Sequence, residues 1–250
     1  MSPHVHSEAD APIDVLEALL DGRSSCRAFL PDPVPRAHID RILAVAQRTM
    51  SGCNSQPWQV EITSGEGTEH FREVMYAAAS SGRPQVNDFP QPREYRGVHR
   101  ARRRDCGFLL YNSLGIERGD RAKYAKQSLE NYRFFGAPHV AIVHIDEALG
   151  VYGAVDCGSY LMNFLLAAQA LGVATVPQAA LTLYSDVVRE HFGLSDDRRL
   201  VYGISFGYAD RHHKANSFRT SRASIGEVAR FHEHAARGHE QSAASVSCAD

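Results

Sequence analysis

Residues 154–171, AVDCGSYLMNFLLAAQAL, read as a helix with almost no polar face, stopped by Gly172. A helix that is apolar nearly all round is buried on every side, in a core or in a subunit interface. The rest of the chain must supply what covers it. Ile13, Leu16, Leu19 and Leu20 give one helical stripe, ending at Gly22. Ile39, Ile42, Leu43 and Ala46 fall at i, i+3, i+4, i+7 and give a second. Phe71, Val74, Met75 and Ala78 mark a third, and a fourth starts at Ser185. Trp58, Val60 and Ile62 alternate as in a strand, and Val140–Ile145, Val173–Val176 and Leu200–Phe206 are apolar runs of strand length. Interleaved helices and short strands predict an α/β or α+β arrangement around one sheet, with no clean domain boundary. Residues 1–10 read as a loose tail, and 237–250, rich in Ala, Ser and His, as a disordered one.

Composition excludes several classes. A net charge of −2 gives no bulk attraction to nucleic acid or to an anionic membrane. No apolar run is long enough to span a bilayer, and the N-terminus lacks the basic start and apolar core of a signal peptide. Cys26, Cys53, Cys106, Cys157 and Cys248 are odd in number, scattered and never spaced as CxxC. That pattern is neither a disulfide framework nor a zinc site, and it suits a reducing cytoplasm.

Two histidine groups are poorly arranged for metal: His212 and His213 are adjacent, and His232 and His234 would face different sides of a helix. Gly65-Glu-Gly67 lacks the remainder of a dinucleotide fingerprint. Gly203-Ile-Ser-Phe-Gly207 matches the G-x-S-x-G of a nucleophile elbow, but that device needs a strand, a sharp turn and a helix. Here Ser205 sits inside an apolar strand, and Asp210 and His212 follow too closely to fold back as its partners. Glycines placed for close packing are the better reading.

The stretch RSSCRAF, residues 23–29, precedes the second helix; SGCNSQPWQV, residues 51–60, follows it. Arg23 and Arg27 offer planar guanidinium forks, and Ser24 and Ser25 offer hydroxyls, a set suited to phosphate. Arg222 could add a third fork. On this chemistry alone the stretch is an anion site or a pair of surface caps. Residues 82–105, with three prolines and little periodicity, read as an excursion carrying a short basic helix. Its run His99-Arg-Ala-Arg-Arg-Arg104 is a solvated face, or a patch that recruits an anionic substrate or the phosphate of NADPH.

RSSCRAF, then Pro33-Val-Pro35 and an amphipathic helix, then S-G-x-N-S-Q-P-W, resembles the start of the FMN-dependent nitroreductase family. The resemblance continues through Arg133-Phe-Phe-Gly-Ala-Pro138, Gly172-Val-Ala-Thr-Val-Pro-Gln-Ala179, Gly203–Asp210 and Asn216–Arg222. It covers roughly residues 13–232 and is nearest to the nitrobenzene reductase-like branch. It implies an α+β fold with a central mixed, mostly antiparallel sheet flanked by helices. It also implies a homodimer with flavin at the subunit interface, formed by one FMN-binding domain over residues 11–236 with an excursion at 82–135.

The resemblance further implies roles for individual residues. Arg23, Ser24, Ser25 and Arg27 would hold the FMN phosphate and pyrimidine edge. Arg222 would join at the phosphate, with Arg219 in the same cofactor-binding set. Ser51, Gly52 and Asn54 would reach FMN from the partner subunit. Arg133 would lie near the flavin's N1–C2 edge, and Gln178 with the Ala179 N–H near N5. Met50 replaces the usual proline, Gly52 and Cys53 replace a hydroxyl pair, and Ala179 stands where many relatives have glycine. The implied activity is ping-pong transfer of hydride from NAD(P)H to a small nitroaromatic substrate, giving nitroso and hydroxylamine products. Reductive dehalogenation, enone or quinone reduction, and flavin binding without catalysis are the alternatives. Tyr95, Tyr111, Tyr124, Tyr132 and Phe134 are candidates to line the substrate site or to pack.

Overall fold

The computed structural model describes residues 11–232. The tails expected at 1–10 and 237–250, and His234, lie outside the described residues. The chain divides into two compact units, one ending at Arg219 and the other starting at Thr220. In the first, four strands pair in the order β1 (Gln59–Ser64), β2 (His139–Asp146), β4 (Arg198–Gly207), β3 (Ala174–Gln178), every neighbour antiparallel. The sheet becomes mixed at one edge. There the backbone N–H of Cys26 donates to the Thr175 carbonyl at 2.9 Å, and Ser25 bridges Thr175 in parallel. The phosphate-type stretch is thus stitched to the sheet.

Both faces of the sheet are covered, which explains why β2 and β4 read as apolar runs and not as alternation. One face carries α2 (Arg36–Ala46) and α6 (Gly150–Ala170), packed on Ala141, Val143, Ile145, Ile204 and Phe206. The other carries α3 (Glu66–Ser80) and α7 (Ser185–Phe192), packed on Val140, Ile142 and Leu200. α1 (Pro12–Gly22) opens with proline in its first turn, where the missing N–H costs nothing. Its end touches α6: a Cβ added to Gly22 would lie 2.8 Å from the Gln169 side chain.

α6 starts four residues before the apolar run and is buried on one side only. Gly153, Cys157, Tyr160, Phe164 and Ala168 face the sheet. Val151, Tyr152 and Val155 remain 70%, 87% and 60% exposed. The side expected to be covered is therefore open within a single chain.

Residues 82–135 divide into three parts with different physics. The stem, 83–89, is pinned. Val86 bridges Tyr184, Arg83 pairs with Asp186, and buried Asp88 takes the Arg189 guanidinium at 2.7 Å and the Leu200 N–H at 2.8 Å. Next come two exposed helices, α4 (Gly97–Ser113) and α5 (Arg121–Leu129), neither with a buried residue. α4 is a 17-residue helix where a short one was expected, and α5 had no clear apolar stripe to announce it. Its signal was Asp120, whose carboxylate caps the Lys123 N–H at 3.0 Å. Last, the 3₁₀ segment Glu130–Gly136 re-enters the core. Phe134 lies on Phe71 at 5.1 Å and Tyr132 edges onto Tyr184 at 5.4 Å, so these two rings pack and do not line a substrate site. Tyr111 stacks on Tyr124 at 4.3 Å and holds α4 to α5.

The second unit begins at Thr220 and contains α8 (Ile225–Val228), capped by Ser224 and Glu227 in a reciprocal box.

Candidate functional site

The edge segment 23–27 brings its predicted residues onto one short extended run. Its support comes from a second loop: Asn216 accepts the Arg27 N–H at 2.6 Å and donates to the Ala28 and Asp210 carbonyls. The Arg27 side chain is partly buried, and burial pushes its guanidinium below the usual arginine range. No carboxylate among the described residues pairs with it. It touches the Ser25 carbonyl at 3.3 Å and lies 5.6 Å from the centre of the Phe218 ring. A partly buried cation of this kind, on a run that also carries Ser24 and Ser25, is suited to an incoming anion.

A concavity of about 880 Å³ flanks this segment, lined by Ser24, Cys26, Asn216 and Arg219 among others. Arg23, Arg27, Arg133 and Gln178 do not line it, so it is one side of the site and not the whole. Arg219 is exposed and donates to the Asn216 and Phe218 carbonyls. Arg222 belongs to the second unit, where it bonds Thr220 and Ser221.

Ser51, Gly52 and Asn54 form a second group, and the structure places it elsewhere. The Gly52 N–H donates to Asp156 on α6 at 3.0 Å, whereas Gly22, next to Arg23, meets Gln169 near the other end of that helix. Thirteen residues separate Asp156 from Gln169, about 20 Å of helix at 1.5 Å per residue. One chain cannot close both groups on one phosphate. The turn itself is tight. Ser51 Oγ accepts the Gln56 N–H, Gln56 bonds Gln47, and Gln47 accepts the Trp58 indole N–H at 3.0 Å. Cys53, Asn54 and Gln56 all take left-handed φ values near 50°. Non-glycine residues rarely adopt such values, and they concentrate at functional turns.

The other such cluster is Phe134–Gly136, immediately after Arg133. Arg72 on α3 clamps it, donating to the Arg133 carbonyl and, at 2.9 Å, to the Ala137 carbonyl. The exposed Arg133 guanidinium sits 4.5 Å from the Tyr76 ring centre, its nearest described partner. Arg72 was not singled out in the sequence. Only its place on the inner side of a helix, beside Phe71, could have drawn notice.

Gln178 is buried, and its side chain is fully engaged: Nε2 donates to the Asn131 carbonyl at 2.8 Å, and Oε1 accepts the Ser205 hydroxyl. Its side chain therefore orients the Glu130–Gly136 segment. Ala179 is exposed, with φ outside the left-handed region, so alanine there is unstrained. As the first residue of a 3₁₀ turn, its N–H has no intrahelical acceptor and is available to a ligand.

The G-x-S-x-G match resolves as packing. A Cβ on Gly203 would lie 2.5 Å from Leu181, and one on Gly207 2.5 Å from Pro138. Asp210 is occupied with the His212 and His213 N–H groups in its own turn.

Comparison with known proteins agrees with this arrangement. The profile of the nitroreductase family matches residues 20–208. The chain is 40% identical over 217 residues to the nitroreductase NfnB of Mycolicibacterium smegmatis, covering 86% of this chain and 92% of that one. It is 31% identical to the nitrobenzene nitroreductase of Ectopseudomonas oleovorans, over 86% of this chain and 96% of that one. The crystal structure of the FMN-dependent NfnB from Mycobacterium smegmatis in complex with NADPH superposes with a TM-score of 0.85 and 37% identity. It covers 89% of this chain and all of that one. An α+β sheet with a cationic segment sewn to its edge, and these matches, place the chain plainly: it belongs to the nitroreductase family.

Proposed function

We propose that this chain is an FMN-dependent NAD(P)H oxidoreductase that reduces nitroaromatic compounds. In this reading it works as a homodimer, with residues 11–236 as one flavin-binding domain in a reducing cytoplasm. The observation that carries it is the partly buried, carboxylate-free Arg27 on a segment that also holds Arg23, Ser24 and Ser25. The donor set fits a phosphate-bearing flavin: guanidinium forks and hydroxyls for the phosphate and pyrimidine edge, and the free Ala179 N–H for a ring nitrogen. Arg133 and Arg219 join as further cations. Four described cysteines are free thiols, which suits the proposed compartment.

FMN, when bound, supplies the two-electron chemistry between NAD(P)H and the nitro group. The chain's residues bind and orient. Arg23, Arg27, Ser24 and Ser25 would hold the phosphate end and so orient the cofactor. A cation at Arg133 favours the electron-rich form of a ring placed against it. The Gln178–Asn131 and Arg72 hydrogen bonds hold the backbone from which Arg133 projects. The 20 Å separation along α6 and the open Val151–Tyr152–Val155 face favour a shared site. Ser51, Gly52 and Asn54 of one copy would complete the pocket of the other.

The test is an anaerobic visible spectrum of purified protein during titration with NADPH or NADH. A flavin band that bleaches and returns on adding nitrobenzene supports the reading. A band that stays bleached discards nitroarenes in favour of a halide, quinone or enone acceptor. A colourless protein that does not take up FMN overturns it.

A further inference from the structure

Residues 93–105 hold six arginines against Glu94 and Asp105, a strongly positive stretch in a chain whose net charge is −2. Arg96, at the start of α4, then Arg100, Arg103 and Arg104 follow at i, i+4, i+7 and i+8, which puts them on one face of the helix. All four are exposed. Three have light local partners: Arg96 meets Glu94, Arg103 lies 5.1 Å from the Tyr95 ring centre, and Arg104 pairs with its neighbour Asp105 at 3.3 Å. Arg100, at the centre of the ridge, has no ion pair among the described residues. Like charges at i, i+3 and i+4 repel, each pair costing a helix roughly 0.2–0.5 kcal/mol. Glu94 and Asp105 offset the charge of Arg96 and Arg104, but no carboxylate among the described residues pairs with Arg100 or Arg103; a bound dianion would offset their repulsion.

The position of the ridge says which dianion. α4 packs against the turn Lys214–Asn216, whose Asn216 holds the Arg27 backbone. Cys106 of α4 lies within electrostatic reach of the Arg27 guanidinium. From Cys106 back to Arg100 is six residues, about 9 Å along the helix. The ridge therefore stands about 9 Å along α4 from Cys106, a second charged station near the proposed flavin site. A ligand that spans from a hydride-transfer position to that station must be long and must end in an anion.

We propose that Arg100, Arg103 and Arg104 form the site for the 2′-phosphate of NADPH and so set a preference for NADPH over NADH. This rests on the oxidoreductase reading above. Guanidinium forks suit a phosphate dianion better than a single carboxylate, which needs only one fork.

The experiment uses the FMN-loaded protein and the triple variant Arg100→Ala, Arg103→Ala, Arg104→Ala, whose exposed positions keep the fold intact. Binding of 2′,5′-ADP and of 5′-AMP is measured directly by calorimetry, and kcat/KM is measured for NADPH and NADH. The wild type is expected to bind 2′,5′-ADP more tightly than 5′-AMP and to prefer NADPH. The variant is expected to lose about tenfold or more of both preferences, with NADH kinetics unchanged. The single reversal Arg100→Glu should move in the same direction. Unchanged 2′,5′-ADP binding and an unchanged nucleotide ratio would overturn the proposal. So would a loss confined to 4-nitrobenzoate against nitrobenzene, which would assign the ridge to an acidic acceptor. Failure of the underlying reading looks different: no flavin band bleaches with either nucleotide, in the wild type or the variant.

Discussion

Gln178 at the end of β3 donates to the Asn131 carbonyl at 2.8 Å, and so ties the sheet to the segment that presents Arg133. The other end of the Gln178 amide accepts from Ser205, which is fully buried. Ser205→Ala leaves the buried Oε1 without its donor. A loss of about 1–3 kcal/mol in urea unfolding is expected, with flavin content retained. Serine-directed acylating agents should leave the wild type unmodified by mass spectrometry.

Arg72→Ala removes the clamp on a turn of consecutive left-handed residues. KM for the nitroarene should rise and kcat fall as Arg133 loses its fixed backbone, while flavin content changes little. Arg72→Lys, a point donor in place of a fork, should restore only part. Equal kinetics for Arg72→Ala and the wild type would remove Arg72 from the site.

Arg23→Ala with Arg27→Ala should yield protein largely free of FMN, read from absorbance after purification. Mixed with Asn54→Ala and allowed to exchange subunits, it should recover about a quarter of the sites. Half of the dimers become hybrid, and each hybrid carries one intact pocket. No recovery after verified exchange would count against a shared pocket. Tyr152→Glu with Val155→Glu on the open α6 face should shift the protein to a monomer in sedimentation and release flavin with it.

His139 is buried in β2, where Nε2 accepts the Val34 N–H at 2.9 Å, so the ring is neutral there. Burial lowers its pKa below the ordinary 6.5, and the same holds for His144. The unfolded chain therefore binds more protons than the folded one just below pH 6.5. Stability is full above that pH and falls as the solution is acidified through the lowered folded values. The melting temperature should drop between pH 6.5 and 5. His139→Gln should flatten part of that slope at the cost of lower stability at pH 7.

Much of this was legible in sequence because apolar periodicity marks the elements, although the α1 stripe stays largely exposed in the single chain. The stripes at 13–20, 39–46 and 71–78 and the runs at 140, 173 and 200 became α1, α2, α3, β2, β3 and β4 with shifts of a few residues at their ends. What periodicity could not show was that the outer side of α6 stays exposed in the single chain. α6 looked buried all round because its outer side is apolar. α5 was illegible for the opposite reason: a helix held by a cap and one ring stack has no stripe. Arg23–Arg27 was readable as an anion site from residue chemistry. The Arg72 clamp was not, because its acceptors are backbone carbonyls 61 and 65 residues away.

Asp88 makes the same point from another side. Breaking a buried pair leaves Arg189 without its counter-ion, so Asp88→Ala should cost about 3–5 kcal/mol. That anchor separates two kinds of inheritance. Behind it, a change in the stem is felt by α7 and β4. Beyond it, α4 and α5 are surface helices with no buried residue, so substitutions on their exposed faces cost little, whereas Ile116 between them is buried. The exposed faces of α4 and α5 are therefore free to vary in sequence, while the side of α4 that meets the Lys214–Asn216 turn is tied to the support of Arg27.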